Sequence, residues 1–141
     1  MPYTQAERAY VESARVGRLA TADAGGRPSV VPLCYAMVDE ALVSPLDEKP
    51  KEGDLRDLRR VRDIRENAAV AVVVDEYSEA WEDLWWVQVR GRARVVEPGA
   101  EGHWDAVVAL REKYDQYADH ALGERPLVWV SPGHVRSWGL E

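Results

Sequence analysis

The run from Leu84 to Glu97, LWWVQVRGRARVVE, alternates between two kinds of side chain over most of its length. One set of alternate positions is apolar and the other holds a tryptophan, a glutamine and arginines: Val87, Val89, Ala93 and Val95 against Trp86, Gln88, Arg90, Arg92 and Arg94. A period of two indicates a β-strand with one face on a core and the other directed away from it. The run therefore restricts the chain to folds built on a long sheet.

Other apolar runs predict the neighbouring strands. GRLATADAGGRPSVVPLCYAMVD and ALVSPLD predict three antiparallel strands in a meander, with tight turns at Gly25-Gly26 and Asp39-Glu40, and AAVAVVVD predicts a buried strand. Both alternating sets of the second strand are apolar, so we expect a second layer to cover it: Val31, Leu33, Tyr35 and Met37 on one side, and Val30, Cys34, Ala36 and Val38 on the other. Pro32 indicates a sheet edge, a bulge or an end of pairing there.

Three helices and a closing strand complete the predicted order. Thr4 and Glu7 form a capping-box pattern that predicts a helix over 4–15, and Asp54 is a candidate N-cap for a helix with Leu55, Leu58, Val61 and Ile64 inward. GHWDAVVALREKYDQYADHAL predicts a long third helix, and RPLVWVSPGHVRSWGLE a last strand, a Pro-Gly turn and a tail. Six or so strands joined by hairpins predict a mainly β, α+β fold, a small closed or split barrel, as one domain over 1–141.

Composition narrows the classes of function. The net charge is −7, whereas nucleic-acid binders carry broad basic surfaces, so we expect no nucleic-acid partner and only a local anion site. No run of about 20 apolar residues occurs, so we expect a cytoplasmic protein with no membrane contact. The single cysteine, Cys34, is interpreted as a small buried hydrophobe, and the three histidines lack ligand spacing, so we expect no metal.

The segment from Lys49 to Arg65 is locally basic. It holds seven basic residues against four acids, a net charge of +3: Lys49, Lys51, Arg56, Arg59, Arg60, Arg62 and Arg65 against Glu52, Asp54, Asp57 and Asp63. Such a run is commonly the solvated face of a helix. Lys49 and Lys51, however, flank Pro50 just before a predicted helix N-terminus, where anions bind, so they are the candidate phosphate ligands.

The paired tryptophans of the alternating run fall on opposite faces. Trp85 shares the valine face, which favours packing in the core. Trp86 shares the arginine face, where a flat ring beside guanidinium groups suits a planar anionic cofactor, with Tyr77 and Trp81 nearby. Packing of Trp86 in a dimer interface is the alternative, and both roles can hold at once.

Three segments together resemble a known superfamily. They are GRLATADAGGRPSVVPLCYAM, DEKPKEGDLRDLRRVRDIRENAAVAVVVDEY and WEDLWWVQVRGRARVV. The chain resembles the split β-barrel flavin-reductase and pyridoxamine 5'-phosphate oxidase-like superfamily from about Val16 to Trp138, and within it the deazaflavin (coenzyme F420)-dependent branch. The resemblance implies a split-barrel homodimer with a cofactor site at the subunit interface and a small-molecule substrate.

The resemblance also implies residue roles. The strand Val31-Pro32-Leu33 would lie along the cofactor ring, Lys49, Lys51 and Arg59 or Arg60 would hold phosphate, Trp86 would flank the ring, and Trp138 would reach the partner's site. The FMN-dependent oxidases of the superfamily have basic residues at the ends of the matching strand, whereas Ser29 to Met37 has none, which favours coenzyme F420 over FMN.

The expected activity is hydride transfer from reduced deazaflavin to an unsaturated organic substrate. The cofactor carries this chemistry, so no side chain need act as a nucleophile, and Tyr35, Tyr77 or solvent are the candidate proton donors. An FMN-dependent flavoprotein and a non-enzymatic carrier of a cofactor or tetrapyrrole are the alternatives.

Overall fold

The computed structural model describes residues 2–46 and 53–140. Its elements are α1 (Gln5–Ser13), β1 (Gly17–Ala22), β2 (Pro28–Leu33), β3 (Ala36–Val38), β4 (Ala41–Pro45), α2 (Arg59–Glu66), β5 (Ala69–Glu76), β6 (Trp85–Val96), α3 (His103–Lys113) and β7 (Leu127–Trp138). None of the helices in the described part of the chain is long and apolar enough to cross a membrane.

The described strands form one antiparallel sheet of seven members in the order β2-β1-β5-β6-β7-β4-β3. The ends of this order, β2 and β3, do not pair with each other, so the sheet is open. The fold is mainly β with flanking helices, as predicted, although it has seven strands where six or so were expected. The extra strand arises from a break in the second predicted strand.

That break separates β2 from β3. The prediction of one continuous strand around Val30 to Val38 is wrong, because pairing with β1 ends at Leu33 and pairing with β4 begins at Ala36. Between them Tyr35 turns inward, where it is 1% exposed. Two hydrogen bonds with Tyr114 hold the Tyr35 backbone in place. The Tyr35 backbone N–H donates to the Tyr114 hydroxyl at 3.1 Å, and that hydroxyl donates to the Tyr35 carbonyl oxygen at 2.9 Å. Pro32 therefore lies in an edge strand, one of its three predicted settings.

Helices α1 and α2 cover the inner face of the central strands. The capping box at Thr4 and Glu7 is present, and Val11 of α1 is fully buried in the main core. Asp54 caps a short 3₁₀ turn over Leu55–Asp57, and α2 begins only at Arg59. The inward residues of this segment are as predicted, with Val61 and Ile64 buried and Leu55 and Leu58 packed against the same core.

The third helix is shorter than predicted. It ends at Lys113, and Tyr114 takes an extended backbone conformation, with 3₁₀ turns at Asp115–Asp119 and Leu122–Glu124 after it. Tyr114 and Tyr117 are both buried in the second core cluster beneath α3. Their burial competes with the helical period and ends the helix.

The closing strand is longer than predicted. β7 runs without interruption from Leu127 to Trp138, and Pro132-Gly133 forms a bulge in it, not a turn. The bulge lies opposite Gly91, where the register against β6 shifts. Since β6 pairs with β7 from Trp86 to Val96, the bulge absorbs one extra residue while pairing continues on both sides.

Candidate functional site

A groove at the β5–β6 end of the sheet is lined mostly by aromatic side chains. Its volume is about 370 Å³. The seven residues around it, called the aromatic groove below, are Asp75, Glu76, Tyr77, Leu84, Trp85, Trp86 and Trp138. A concave site of this size with few polar groups is typical of small-molecule binding.

Strand register brings the groove together. Trp86 is paired with Asp75 of β5 on one side and with Trp138 of β7 on the other. Directly opposed residues of an antiparallel pair point to the same face, so these three side chains share one face of the sheet. Trp138 is 53% exposed, and the Arg136 guanidinium carbon lies 5.7 Å from the centre of the Trp86 ring.

The Trp85 side chain projects from the other face of β6. It packs against the main core and makes an edge contact with Tyr10, with ring centres 4.7 Å apart. The predicted separation of the two tryptophans onto opposite faces is confirmed. Trp85 also borders the groove, which the alternation did not indicate.

Two acidic residues, Asp75 and Glu76, line the aromatic groove. Asp75 accepts a hydrogen bond from Arg18 at 2.7 Å, while Glu76 is exposed and makes no ion pair among the residues that the structure describes. The Tyr77 hydroxyl donates to Glu79 at 2.6 Å. Sequence reasoning missed Asp75 and Glu76 as site residues, although their position at the end of the apolar run AAVAVVVD was a signal for them.

Arg59 and Arg60 lie on α2, away from the groove. Arg59 donates to the buried Asp63 carboxylate at 3.0 Å and to the Arg27 carbonyl oxygen at 3.0 Å. Asp63 also accepts from Thr21 at 2.7 Å, and Arg60 is buried. These contacts join the start of α2 to the turn between β1 and β2. Lys49 and Lys51 lie outside the described residues.

Much of the remaining basic charge of this segment is paired. Arg56 donates to both Asp54 and Glu97, and Arg65 lies 3.8 Å from Glu97. The Arg56 guanidinium is the main reason that the pKa of Glu97 falls below its ordinary value. The solvated-face interpretation therefore describes these two arginines better than a role as ligands.

The predicted ring-binding strand Val31-Pro32-Leu33 lies in β2, at one edge of the sheet. Three strand steps separate β2 from β6, about 14 Å at the usual strand spacing. A single chain thus does not bring Pro32 and Trp86 into contact. The groups expected around one cofactor are divided between two regions of the chain.

The sheet face between these regions carries small and apolar side chains together with Arg18 and Gln88. Register places Ala20, Val30, Pro32, Ala71 and Val73 on the same face as Trp86 and Trp138, and Val30 is 64% exposed. This set is called the outer sheet face. None of the described helices covers Val30, so the second layer expected over this strand is absent from the part of the chain that the structure describes.

The two tyrosine candidates for proton donation differ in setting. Tyr35 is buried, its hydroxyl donates to the Val11 carbonyl oxygen, and burial raises its pKa well above the ordinary value. Tyr35 therefore has a structural role and is no longer a candidate proton donor. Tyr77 is 66% exposed at the groove, where its hydroxyl can reach a bound molecule.

The chain matches a known family over nearly its whole length. The model of the family described as "Pyridoxamine 5'-phosphate oxidase" matches residues 3–139. A curated relative, the 5a,11a-dehydrotetracycline/5a,11a-dehydrooxytetracycline reductase of Streptomyces rimosus subsp. rimosus, is 28% identical over 142 residues, covering 100% of this chain and 86% of the relative.

Solved structures share the fold. An FAD-binding protein from Mesorhizobium loti has a TM-score of 0.70 at 28% identity, with 96% of this chain and 94% of that chain covered. An F420 reductase has a TM-score of 0.68 at 20% identity, with 95% and 98% covered. A heme binding protein from Mycobacterium smegmatis has a TM-score of 0.76 at 17% identity, with 96% and 53% covered. The predicted split β-barrel is confirmed.

Proposed function

This chain belongs to the pyridoxamine 5'-phosphate oxidase family, and on that premise we propose that it is a coenzyme F420-dependent oxidoreductase. Reduced deazaflavin, when bound, supplies a hydride that passes to an unsaturated organic substrate. The protein's own residues bind and orient the two molecules and keep water from the reacting atoms. The reductase name of the Streptomyces relative supports this reaction class.

The observation that carries the proposal is the position of α2 beside the edge strand β2. Arg59, which is paired with Asp63, also reaches the Arg27 carbonyl oxygen just before this strand. Its guanidinium therefore lies near the backbone edge of β2, which has no neighbour on its far side among the described strands. A planar ring can lie along Val31, Pro32 and Leu33, with its phosphate toward Arg59 and Arg60, and Lys49 and Lys51 are the further predicted ligands of that phosphate. Backbone edges and guanidinium groups are the donors and acceptors that such a cofactor needs.

A homodimer completes this site. Among the described residues of one chain, no helix covers the outer sheet face, and Trp86 and Trp138 lie far from Pro32. A second copy packed on this face would bury its apolar residues and bring Trp86 or Trp138 of one subunit toward β2 of the other. This arrangement accounts for the division of the expected cofactor groups between two regions of the chain.

A flavin cofactor is the second candidate. The FAD-binding relative from Mesorhizobium loti favours it. The stretch from Ser29 to Met37 has no basic residue that could bind an FMN phosphate, which disfavours FMN. A carrier without turnover, such as a tetrapyrrole binder, is the third, and the name of the Mycobacterium smegmatis structure suggests it.

The test is a set of parallel titrations of the purified apoprotein with deazaflavin, FMN and heme. Tryptophan fluorescence is the readout for binding in each titration. We expect deazaflavin to bind most tightly and its reduced form to be oxidised in the presence of a dehydrotetracycline. Tighter FMN binding would overturn the deazaflavin assignment, and heme binding without any hydride transfer would favour the carrier.

Variants in the basic segment test the phosphate ligands. Lys51→Ala should weaken deazaflavin binding by about 1–3 kcal/mol, the range for a lost charge-assisted hydrogen bond, and leave the melting temperature nearly unchanged. Arg62→Ala is the matched control, because Arg62 is exposed on α2 and is not among the proposed ligands. If both variants lose the same deazaflavin affinity, the segment acts through its overall positive charge and Lys51 is not a specific phosphate ligand.

A further inference from the structure

We propose that Gly139 is a positioning residue for the candidate site. Its backbone lies directly against the peptide between Leu84 and Trp85, and this contact holds the Trp138 ring in place as one wall of the aromatic groove. The inference rests on the proposed function, which assigns Trp138 to the cofactor ring. It adds residues 138–140, called the tail below, to the parts of the chain that build the site.

The sheet by itself holds Trp138 on one side only. β7 pairs with β4 from Leu127 to Val130, and beyond that point the described part of the chain gives it only β6 as a neighbour. Trp86 and Trp138 form the last pair between β6 and β7, and the Trp138 side chain is 53% exposed. The end of such a strand frays readily, because few contacts restrain it. A defined position of the Trp138 ring therefore needs a further contact.

Gly139 supplies that contact through a close approach of two backbones. A Cβ atom at this position would clash with the Leu84 carbonyl oxygen and would lie 3.1 Å from the Trp85 Cα atom. Gly139 also has a φ angle of +79°, in a region that residues with a Cβ atom rarely adopt. The available space and the backbone conformation thus both require glycine at this point.

Leu140 fixes the tail at a second point. Its side chain packs against the main core, so the chain is held on both sides of the contact at Gly139. Leu84 follows the 3₁₀ turn Trp81–Asp83 and itself lines the groove. The contact at Gly139 therefore joins the tail to the segment between β5 and β6, and it sets the spacing between the Trp138 ring and the rest of the groove.

Fluorine NMR of the full chain labelled with 5-fluorotryptophan tests the position of the ring without any ligand. Gly139→Ala should shift the Trp138 resonance, which Trp138→Phe assigns, because the added methyl group displaces the tail from Leu84. The resonance of Trp104, an exposed tryptophan on α3, should stay unchanged. An unchanged Trp138 resonance in Gly139→Ala would overturn the inference.

Gly99→Ala is the matched control for this measurement. Gly99 also has a positive φ, +85°, but a Cβ atom there would have no neighbour within 4 Å among the described residues. Both variants incur the same kind of backbone strain, so the difference between them isolates the contact with Leu84. An equal shift of the Trp138 resonance in Gly99→Ala would show that strain alone moves the ring, and the inference would fail.

Leu140→Ala loosens the tail without adding a methyl group at the contact. This variant should shift the Trp138 resonance and weaken deazaflavin binding in the same direction as Gly139→Ala. It also decides the matter if urea unfolding shows that Gly139→Ala folds poorly. If Leu140→Ala leaves both the resonance and the affinity unchanged, the tail does not hold the ring.

A double-mutant cycle on deazaflavin binding tests whether Gly139 acts through Trp138. Gly139→Ala alone should weaken binding by about five-fold or more, since a displaced ring no longer packs on the cofactor. In a Trp138→Leu background the same change should alter the affinity by less than about two-fold, because the ring that it displaces is already absent. Equal losses in both backgrounds would overturn the positioning role.

The outcomes separate this inference from the proposed function. A chain that does not bind deazaflavin but shows the Trp138 shift in Gly139→Ala would overturn the cofactor proposal alone. A chain that binds deazaflavin equally well with and without the Gly139→Ala change would overturn the positioning role alone.

Discussion

Trp85 and Trp86 are neighbours in the chain, and their side chains enter different surroundings. Trp85→Ala removes a ring that contacts Tyr10 and the main core, so it should lower the free energy of unfolding by about 2–3 kcal/mol, less than for a fully buried tryptophan. Trp86→Ala should cost less stability and weaken cofactor binding or dimerisation. Urea unfolding and cofactor titration of both variants check this.

The reverse result would identify a different ring platform. If Trp85→Ala folds normally but binds no cofactor, while Trp86→Ala is insoluble, Trp85 is the residue that contacts the ring. Trp81→Ala is a useful control, because that ring is 69% exposed on the preceding 3₁₀ turn and does not line the groove.

Lys113 is an amine in an aromatic setting. Its Nζ lies 4.0 Å from the centre of the Tyr35 ring and 5.5 Å from that of Tyr114, and it is buried without a hydrogen-bond partner among the described residues. Burial, with a smaller effect of Arg15, lowers the pKa of Lys113 from 10.5 to about 8. The folded protein therefore releases this proton at a lower pH than the unfolded chain does.

A rise in stability with pH follows from this difference. Between pH 8 and 10.5 the unfolded state binds more protons at Lys113 than the folded state, so this lysine makes the free energy of unfolding increase with pH. The slope should stay below about 1.4 kcal/mol per pH unit, the limit for one proton. Lys113→Met should lack this contribution.

Urea unfolding at several pH values checks the Lys113 contribution. The useful window is pH 8 to about 9.5, because above it the unfolded tyrosines begin to ionise, and the raised pKa values of Tyr3 and Tyr35 then favour unfolding. Parallel pH profiles for Lys113→Met and the parent chain would contradict the prediction.

At the scale of elements, the pairing of β6 with β7 depends on a close approach of two backbones. A Cβ atom at Gly91 would clash with the Ser131 carbonyl oxygen, whereas at Gly133 its nearest neighbour would be 3.5 Å away. Gly91→Ala should therefore destabilise the fold by about 2–3 kcal/mol, and Gly133→Ala should cost much less.

Thermal unfolding of the two glycine variants measures this difference directly. They add the same methyl group on opposite sides of one bulge, so propensity is nearly matched between them. If both variants lose the same stability, flexibility at the bulge matters more than the contact at Ser131.

For the whole molecule, the outer sheet face predicts self-association. Val30→Glu places a charge on this face, and because Val30 is 64% exposed in the single chain, its folding should be unaffected. If the proposed dimer forms there, light scattering should show the parent chain as a dimer and Val30→Glu shifted toward monomer. Val108→Glu, on the exposed side of α3, is the control and should stay dimeric.

A parent chain that is monomeric at micromolar concentration would contradict the dimer. A dimer unaffected by Val30→Glu would contradict its location on the outer sheet face. In the second case the cofactor groups on β2 and the tryptophans of β6 and β7 would have to meet by another arrangement.

The sequence by itself determined the local features whose cause is also local. The period of two in β6 assigned Trp85 and Trp86 to opposite faces, and the capping box at Thr4 located the first helix. Such patterns follow from backbone geometry and from hydrogen bonds within a few residues.

Only the tertiary structure decided where those patterns stop and which distant residues meet. Burial of Tyr35 and Tyr114 broke a predicted strand and shortened a predicted helix, and pairing with β6 turned Pro132-Gly133 from a turn into a bulge. The groove likewise depends on register between strands far apart in the chain, which no local pattern specifies. Long-range packing outweighs local preference at these points, because each buried side chain contributes more free energy than one residue's propensity.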